Sequence, residues 1–237
     1  MKTFINFQVL SFFMKFIFLL KNALNLTRKR KKARFAWTLD ENKYLTIDEV
    51  KKLRRYCCKK KRQALKENKI TGVRNWFMVE LGLNAGLRVK EMANLKCGDI
   101  LIDKEHSSII ALGKRGKKRS VWISSKFKKD CLWFLKWKQK VGQSTKPESY
   151  IFTSENGNQL TRRALQKAFY STIKKAGLSN HSIHHLRHTF GSYLYLSSGH
   201  NLRLVQEQLG HSSVKVTEVY ASVMNTDAKN AVENLYK

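Results

Sequence analysis

Apolar residues recur at three-and-four spacing over most of the chain from Leu45 onward, which predicts a succession of amphipathic helices. The first is marked by Thr46 ahead of Ile47 and Val50. Glu49, three residues after the threonine, completes the pattern of a capping box, and the helix is expected to run to about Lys66. Further helical patterns cover 74–85, 89–95, 126–141, 161–176, 182–196, 201–209, 213–223 and 226–236, with Gly177 placed to end the fifth of the whole series. The period changes in one region only. "ILI" at 100–102, "SSIIAL" at 107–112 and "SVWI" at 120–123 are short β-rich pieces separated by turns, the second turn carrying Gly113 and Gly116. The expected fold class is mainly α with a small antiparallel β-sheet, an α+β domain over residues 46–237.

The first 45 residues pattern differently. Residues 1–24 are aromatic and apolar, but Asn6, Gln8, Ser11 and Lys15 break the run below the roughly 18 apolar residues of a spanning helix. A lysine inside the apolar part also argues against a signal peptide. The segment reads first as a remnant or partner-binding helix, next as an interfacial helix and last as a signal, and no membrane partner is expected.

Charge narrows the class of partner. Lys and Arg number 47 against 17 Asp and Glu, a formal charge of +30. Such an excess points to a large polyanion. The basic residues fall in three separated runs, "RKRKKAR" from Arg28, "KKLRRYCCKKKR" from Lys51 and "GKRGKKR" from Gly113, which favours nucleic acid over an acidic membrane surface. Cys57, Cys58, Cys97 and Cys131 form no CxxC pair and no disulfide framework, so a reducing, cytoplasmic setting is expected. Trp37, Trp76, Trp122, Trp133 and Trp137 read as core and rim.

The stretch "HSIHHLRHTF" at 181–190 puts four histidines and an arginine into ten residues. Ile183, Leu186 and Phe190 mark its buried face, and His184, Arg187 and His188 share a neighbouring one. Two histidines four apart are a familiar zinc arrangement, yet the position of the catalytic glutamate in that motif is His185 here, and Arg187 stands between the imidazoles. No metal is expected. Other reactive types are Arg88 and Glu91 in "NAGLRVKEM", Lys114 in "LGKRGKKR", His211 in "LGHSS" and Tyr220 in "VTEVYAS", nine residues later. Taken singly, each has an ordinary structural reading: Tyr220 as a packing residue, Lys114 as one basic side chain among several with Lys117 its rival, and His185 and His188 as structural or DNA-facing.

Taken together and in order, these segments resemble the catalytic domain of the tyrosine recombinase family, also called the phage integrase family, over about residues 45–237. The resemblance implies that Arg88 and Arg187 clamp a scissile phosphate, Tyr220 attacks it and Lys114 protonates the leaving oxygen. It further implies that His184 and His211 complete the pocket, His184 taking the tyrosine proton, and that Glu91 braces it from behind. Arg28, Lys29, Arg30, Lys31, Lys32, Arg115, Lys117, Lys118 and Arg119 are expected to face DNA. The implied reaction is site-specific cleavage and rejoining of double-stranded DNA through a 3′-phosphotyrosyl intermediate, with no metal and no ATP. The implied assembly is a homotetramer on DNA, linked through the helix at 226–236 and helped by accessory DNA-bending proteins, in the nucleoid of a prokaryotic cytoplasm.

The chemistry has its own logic. Charge that builds on the non-bridging oxygens is best met by preorganised donors, and arginine offers a planar fork that stays protonated. A phenol ionises only near 10, so a cationic pocket and a nearby base are needed to make it a nucleophile. The chain departs from the family pattern in two places. Residues 1–45 do not supply a complete core-binding domain, and Ser222 stands where a histidine often follows the nucleophile by two. Two other readings therefore stay open, a noncatalytic or truncated DNA-binding remnant and a type IB topoisomerase-like enzyme that relaxes one duplex.

Overall fold

The computed structural model describes residues 43–103, 107–113, 116–178, 180–213 and 216–223, without the side chains of 221–223. Eight α-helices and one three-stranded sheet are found among them. In chain order they are α1 (Ile47–Lys66), α2 (Ile70–Ala85), α3 (Val89–Asn94), β1 (Ile100–Ile102), β2 (Ser107–Leu112), β3 (Lys118–Trp122), α4 (Ser125–Lys140), α5 (Arg162–Lys175), α6 (Ile183–Ser197), α7 (Leu202–Leu209) and α8 (Glu218–Val223). The expected fold class is the one observed. No helix among the described residues is long and apolar enough to cross a membrane. The expected helix at 226–236, the extension before residue 43, and Lys114 and Arg115 lie outside the described residues.

Local rules account for the boundaries. The Thr46 hydroxyl accepts from the Glu49 amide while the Glu49 carboxylate accepts from the Thr46 amide, so α1 starts on a complete capping box. Gly86 ends α2 and Gly210 ends α7 in the left-handed region, at φ 56° and 63°. The strands are consecutive antiparallel neighbours in the order β1-β2-β3, and the register pairs Ile100 with Ile109 and Ile109 with Val121 on the buried face. Two helices differ from expectation. α2 begins four residues earlier than Arg74, and α8 begins at Glu218 rather than at Ser213. There Val216 donates to the Ser213 carbonyl, and the Thr217 hydroxyl is taken up by His211, a side-chain bond that competes with helix.

α2 is the central rod. Its buried residues run around the helix, from Val73 and Trp76 to Ala85, because α1, α4, α5 and α6 all pack on it. Phe77 anchors an aromatic stack, its ring 3.9 Å from Phe134 and nearly parallel, with Phe127 and Phe152 beside them. Each such ring contributes roughly 1.5–3 kcal/mol by leaving water. Trp76 and Trp137 are core, while Trp122 is 54% exposed on the sheet. A second, smaller apolar cluster consists of Tyr195, Val205, Leu209, Val219 and Tyr220, flanked by Tyr44, Phe190, Leu194 and Leu202. It joins α6, α7 and α8, and so fixes where Tyr220 lies.

Candidate active site

Two helix ends and a hairpin build the site. Gly86 turns the chain out of α2 so that Arg88 becomes the N-cap of α3. Glu91, one turn into α3, accepts from the Arg88 amide at 2.7 Å and from Arg88 Nη1 at 2.8 Å. Arg88 Nη2 donates to the Gly210 carbonyl at 3.2 Å, and its side chain is still 42% exposed. One edge of this guanidinium is thus fixed while it remains accessible to a ligand.

Arg187 is buried, at 7% side-chain exposure. Its Nη1 donates to the Gly86 carbonyl and its Nη2 to the Leu209 carbonyl, each at 2.6 Å. Both acceptors lie at helix C-termini, where unpaired carbonyls and the helix dipole favour a cation. The fork of one arginine therefore ties the end of α2 to the end of α7. Burial and the neighbouring Arg88 pull its pKa down to about 9, with Glu91 opposing, which leaves it a cation at neutral pH.

Glu91 is the shared counter-charge. Burial raises its carboxyl, but hydrogen bonds and charge from Arg119 and Arg88 outweigh that and hold it below the usual range. Arg119, on β3, was expected to face DNA. Its guanidinium turns inward instead, with Nη1 and Nη2 on the Glu91 oxygens and Nε on the Gln208 carbonyl. Gly210 makes this possible, since a Cβ there would meet Arg119 Cδ at 2.5 Å. Lys117 and Lys118 are exposed, and the Gly113 amide donates to the Lys117 carbonyl across the base of the hairpin turn.

Tyr220 lies in the first turn of α8 and is 1% exposed, its ring packed against Gly191 of α6. Burial raises its hydroxyl to about 12, against the pull of Arg187 and Arg88, whose charges both reach it. His211 follows Gly210; its Nδ1 is 3.0 Å from Thr217 Oγ1, and its ring is parallel to that of Tyr220 at 6.3 Å between centroids. Burial, then Arg187 and Arg88, lower His211 to about 3, so the imidazole is neutral. His184, at the start of α6, has an exposed surface, but partial desolvation of its ring and then the Arg187 and Arg162 charges lower its pKa. The partner of the Tyr220 hydroxyl is not His184 but His188, whose Nδ1 lies 3.3 Å away. Arg88, Arg187, Glu91, His211 and Tyr220 thus come to one place from four separate chain segments.

The profile of the phage integrase family matches residues 43–226. This chain belongs to that family. Among relatives, the tyrosine recombinase XerC of Proteus mirabilis is 37% identical over 150 residues, covering 62% of this chain and 47% of that protein. Tyrosine recombinase XerD of Rickettsia bellii is 32% identical over 197 residues, 79% of this chain and 62% of that one. The chain also superposes on the XerH site-specific recombinase bound to palindromic difH substrate in a post-cleavage complex, with a TM-score of 0.64 and 25% identity over 82% of this chain and 53% of that one. It spans about half the length of the first relatives it matches, 47% and 50%.

Sequence reasoning left two members of the site out of it: His188 and the inward Arg119. A signal for His188 existed. Gly191 stands three residues on along the same helix face, and a small residue beside a polar one marks where a bulky neighbour approaches.

Proposed function

We propose that this chain is a tyrosine-type DNA strand transferase, a site-specific recombinase that cuts and rejoins double-stranded DNA through a 3′-phosphotyrosyl intermediate. The observation that carries this reading is a buried phenol under the charge of two arginines, Arg88 held by the Gly210 carbonyl and Arg187 by those of Gly86 and Leu209. Arg88 and Arg187 receive the non-bridging oxygens of the scissile phosphate and stabilise charge as phosphorus becomes five-coordinate. Neutral His211 and His184 add hydrogen bonds. Tyr220 gives up its proton to a neighbouring base, bonds to phosphorus and displaces the 5′-oxygen, which leaves with a proton from Lys114. The phosphotyrosyl linkage conserves the energy of the broken diester, so rejoining needs no ATP, and the guanidinium groups supply the charge a metal would otherwise bring. Glu91 and Arg119 brace Arg88 from behind.

The basic residues Arg28 to Lys32, with Arg115, Lys117 and Lys118, are read as contacts to DNA phosphates, giving salt-dependent, sequence-independent affinity. Assembly is read as a homotetramer on DNA. An apolar groove of about 830 Å³, lined by Val50, Leu83, Phe190, Leu194 and Leu204 among others, has the size and character to take the segment 226–236 of a second copy, whose Ala228, Ala231, Val232 and Leu235 are apolar. Accessory DNA-bending proteins would then set the geometry of the synapse.

The test is incubation with nicked suicide duplexes cut from the DNA that flanks the coding sequence. A denaturant-stable protein–DNA adduct is expected, absent in Tyr220→Phe while gel-shift binding persists. An adduct that survives Tyr220→Phe, or strand breakage that requires divalent cations, overturns the reading. Supercoil relaxation without recombinant product points to the topoisomerase-like alternative.

A further inference from the structure

A row of ionisable side chains leads away from the nucleophile. His188 Nδ1 is 3.3 Å from Tyr220 Oη. The His188 and His185 ring centroids are 6.3 Å apart, a gap that one bridging water would have to span. His185 Nδ1 is 3.1 Å from His181 Nδ1, and His181 Nε2 is 3.1 Å from Glu49 Oε1. His185 and His188 are three apart on one face of α6, and His181, just ahead of the Ser182 cap, folds back so that its ring meets His185 edge-on at 5.4 Å between centroids. The far end, Glu49 in the cap of α1, is 31% exposed at its side chain.

We propose that His188 is the base that removes the Tyr220 proton, and that His185, His181 and Glu49 relay that proton to solvent. The inference rests on the strand-transfer reading above and deepens it. As the bond from Tyr220 Oη to phosphorus forms and the bond from phosphorus to the 5′-oxygen breaks, the phenolic proton passes to His188 Nδ1. The resulting imidazolium gives up its Nε2 proton towards His185, and the charge moves through His181 to the Glu49 carboxylate. The 5′-oxygen takes its proton separately, from Lys114. Rejoining runs both transfers backwards. His188 and Tyr220 are catalytic; His185, His181 and Glu49 act through them.

The surroundings keep the acceptor neutral, and the cost of charging it falls on the two arginines that stabilise the phenolate. Burial lowers His188 to about 4, with His185, Arg187 and His184 on its own helix and Lys43 ahead of α1 adding to the effect, so the ring is neutral and able to accept. The same field makes the imidazolium short-lived, and a single ring would return the proton to the tyrosine. An outlet removes it. Between His181 and His185 two Nδ1 atoms face each other, so one ring donates and the other accepts, and a transfer reverses the roles. Burial raises Glu49, but hydrogen bonds from Thr46 and His181 outweigh it and keep the carboxylate ionised as the outer terminus.

The test is single-turnover adduct formation on a nicked suicide duplex, and on the same duplex with a bridging 5′-phosphorothiolate at the scissile position. A sulfur leaving group needs no protonation, which isolates activation of the nucleophile from the action of Lys114. His188→Ala is expected to slow both substrates by about 100-fold or more, to keep gel-shift affinity, and to recover in part when free imidazole is added. His185→Gln and His181→Gln, which leave the Tyr220 contact in place, are expected to slow the reaction less and to shift its pH profile. A His188→Ala rate within about threefold of the parent chain on the sulfur substrate overturns the proposal, as does a loss that imidazole does not restore in a folded variant. Should His188→Ala fail to fold, His185→Gln decides, and an unshifted pH profile overturns the relay. An adduct missing from the parent chain on both substrates instead brings down the strand-transfer reading itself, and the relay with it.

Discussion

The Glu91 carboxylate receives both terminal nitrogens of Arg119, at 2.8 and 2.9 Å, in a position where its own side chain is 3% exposed. Arg88 binds the same carboxylate and Arg187 approaches to 4.0 Å, so one buried negative charge organises three guanidinium groups. Removing a partner leaves the remainder unbalanced. Arg119→Ala is expected to destabilise the protein by about 3–5 kcal/mol, the range for breaking a buried ion pair. Thermal denaturation at neutral pH measures it. The Glu91 pKa is depressed in the folded chain, so its stabilisation is present above the unfolded value and is lost as pH falls through the folded one. Glu91→Gln should accordingly flatten that part of the acid melting curve.

Arg187→Lys keeps the charge and loses the fork. A lysine cannot reach the Gly86 and Leu209 carbonyls together and still present a donor to phosphate. Adduct formation is expected to drop by about 100-fold or more, the scale for losing one preorganised donor at a developing charge. The suicide-duplex rate reads the catalytic loss, and the urea midpoint reads the loosened joint between α2 and α7.

Acid should weaken the fold well above the usual carboxylate range. His211 is held at about 3 and His188 at about 4, against an ordinary 6.5. The unfolded chain therefore takes up protons near 6.5 while the folded rings do not. The stabilisation from keeping these rings neutral is complete above 6.5 and is lost steadily as pH falls from there towards 3. Urea midpoints at pH 7 and pH 5 should differ for the parent chain, and His211→Asn should narrow the difference.

Gly191→Ala would place a methyl group 2.7 Å from Tyr220 Cζ. The ring must shift, at a cost of about 1–3 kcal/mol for overpacking. The hydroxyl then leaves His188. Adduct formation is expected to fall with gel-shift affinity unchanged, and the ultraviolet pH titration of the variant, set against Tyr220→Phe, should no longer show a phenol ionising near 12.

How much of this could be read from the residues depends on whether the deciding interaction was local. α1 was legible because Thr46 and Glu49 are three apart, and the end of α7 because Gly210 follows Leu209. The hairpin showed in its glycines and its change of period. Arg119 was misplaced because its partner Glu91 is 28 positions away and nothing in "GKRGKKR" separates an inward arginine from outward ones. His188 was set aside because its partner lies 32 positions on, through the packing of α8 over Gly191. The later start of α8 is not legible because the Thr217 bond to His211 has no periodic signature.

The Tyr220 helix rests on the small apolar cluster of α6, α7 and α8 and not on the main aromatic core around Phe77. Loosening that minor cluster would leave the aromatic core in place, so the reactive hydroxyl can be uncovered by a local opening far smaller than global melting. On the strand-transfer reading, the unliganded fold keeps the Tyr220 hydroxyl sheathed, and yielding of this minor cluster would be the step that bares it.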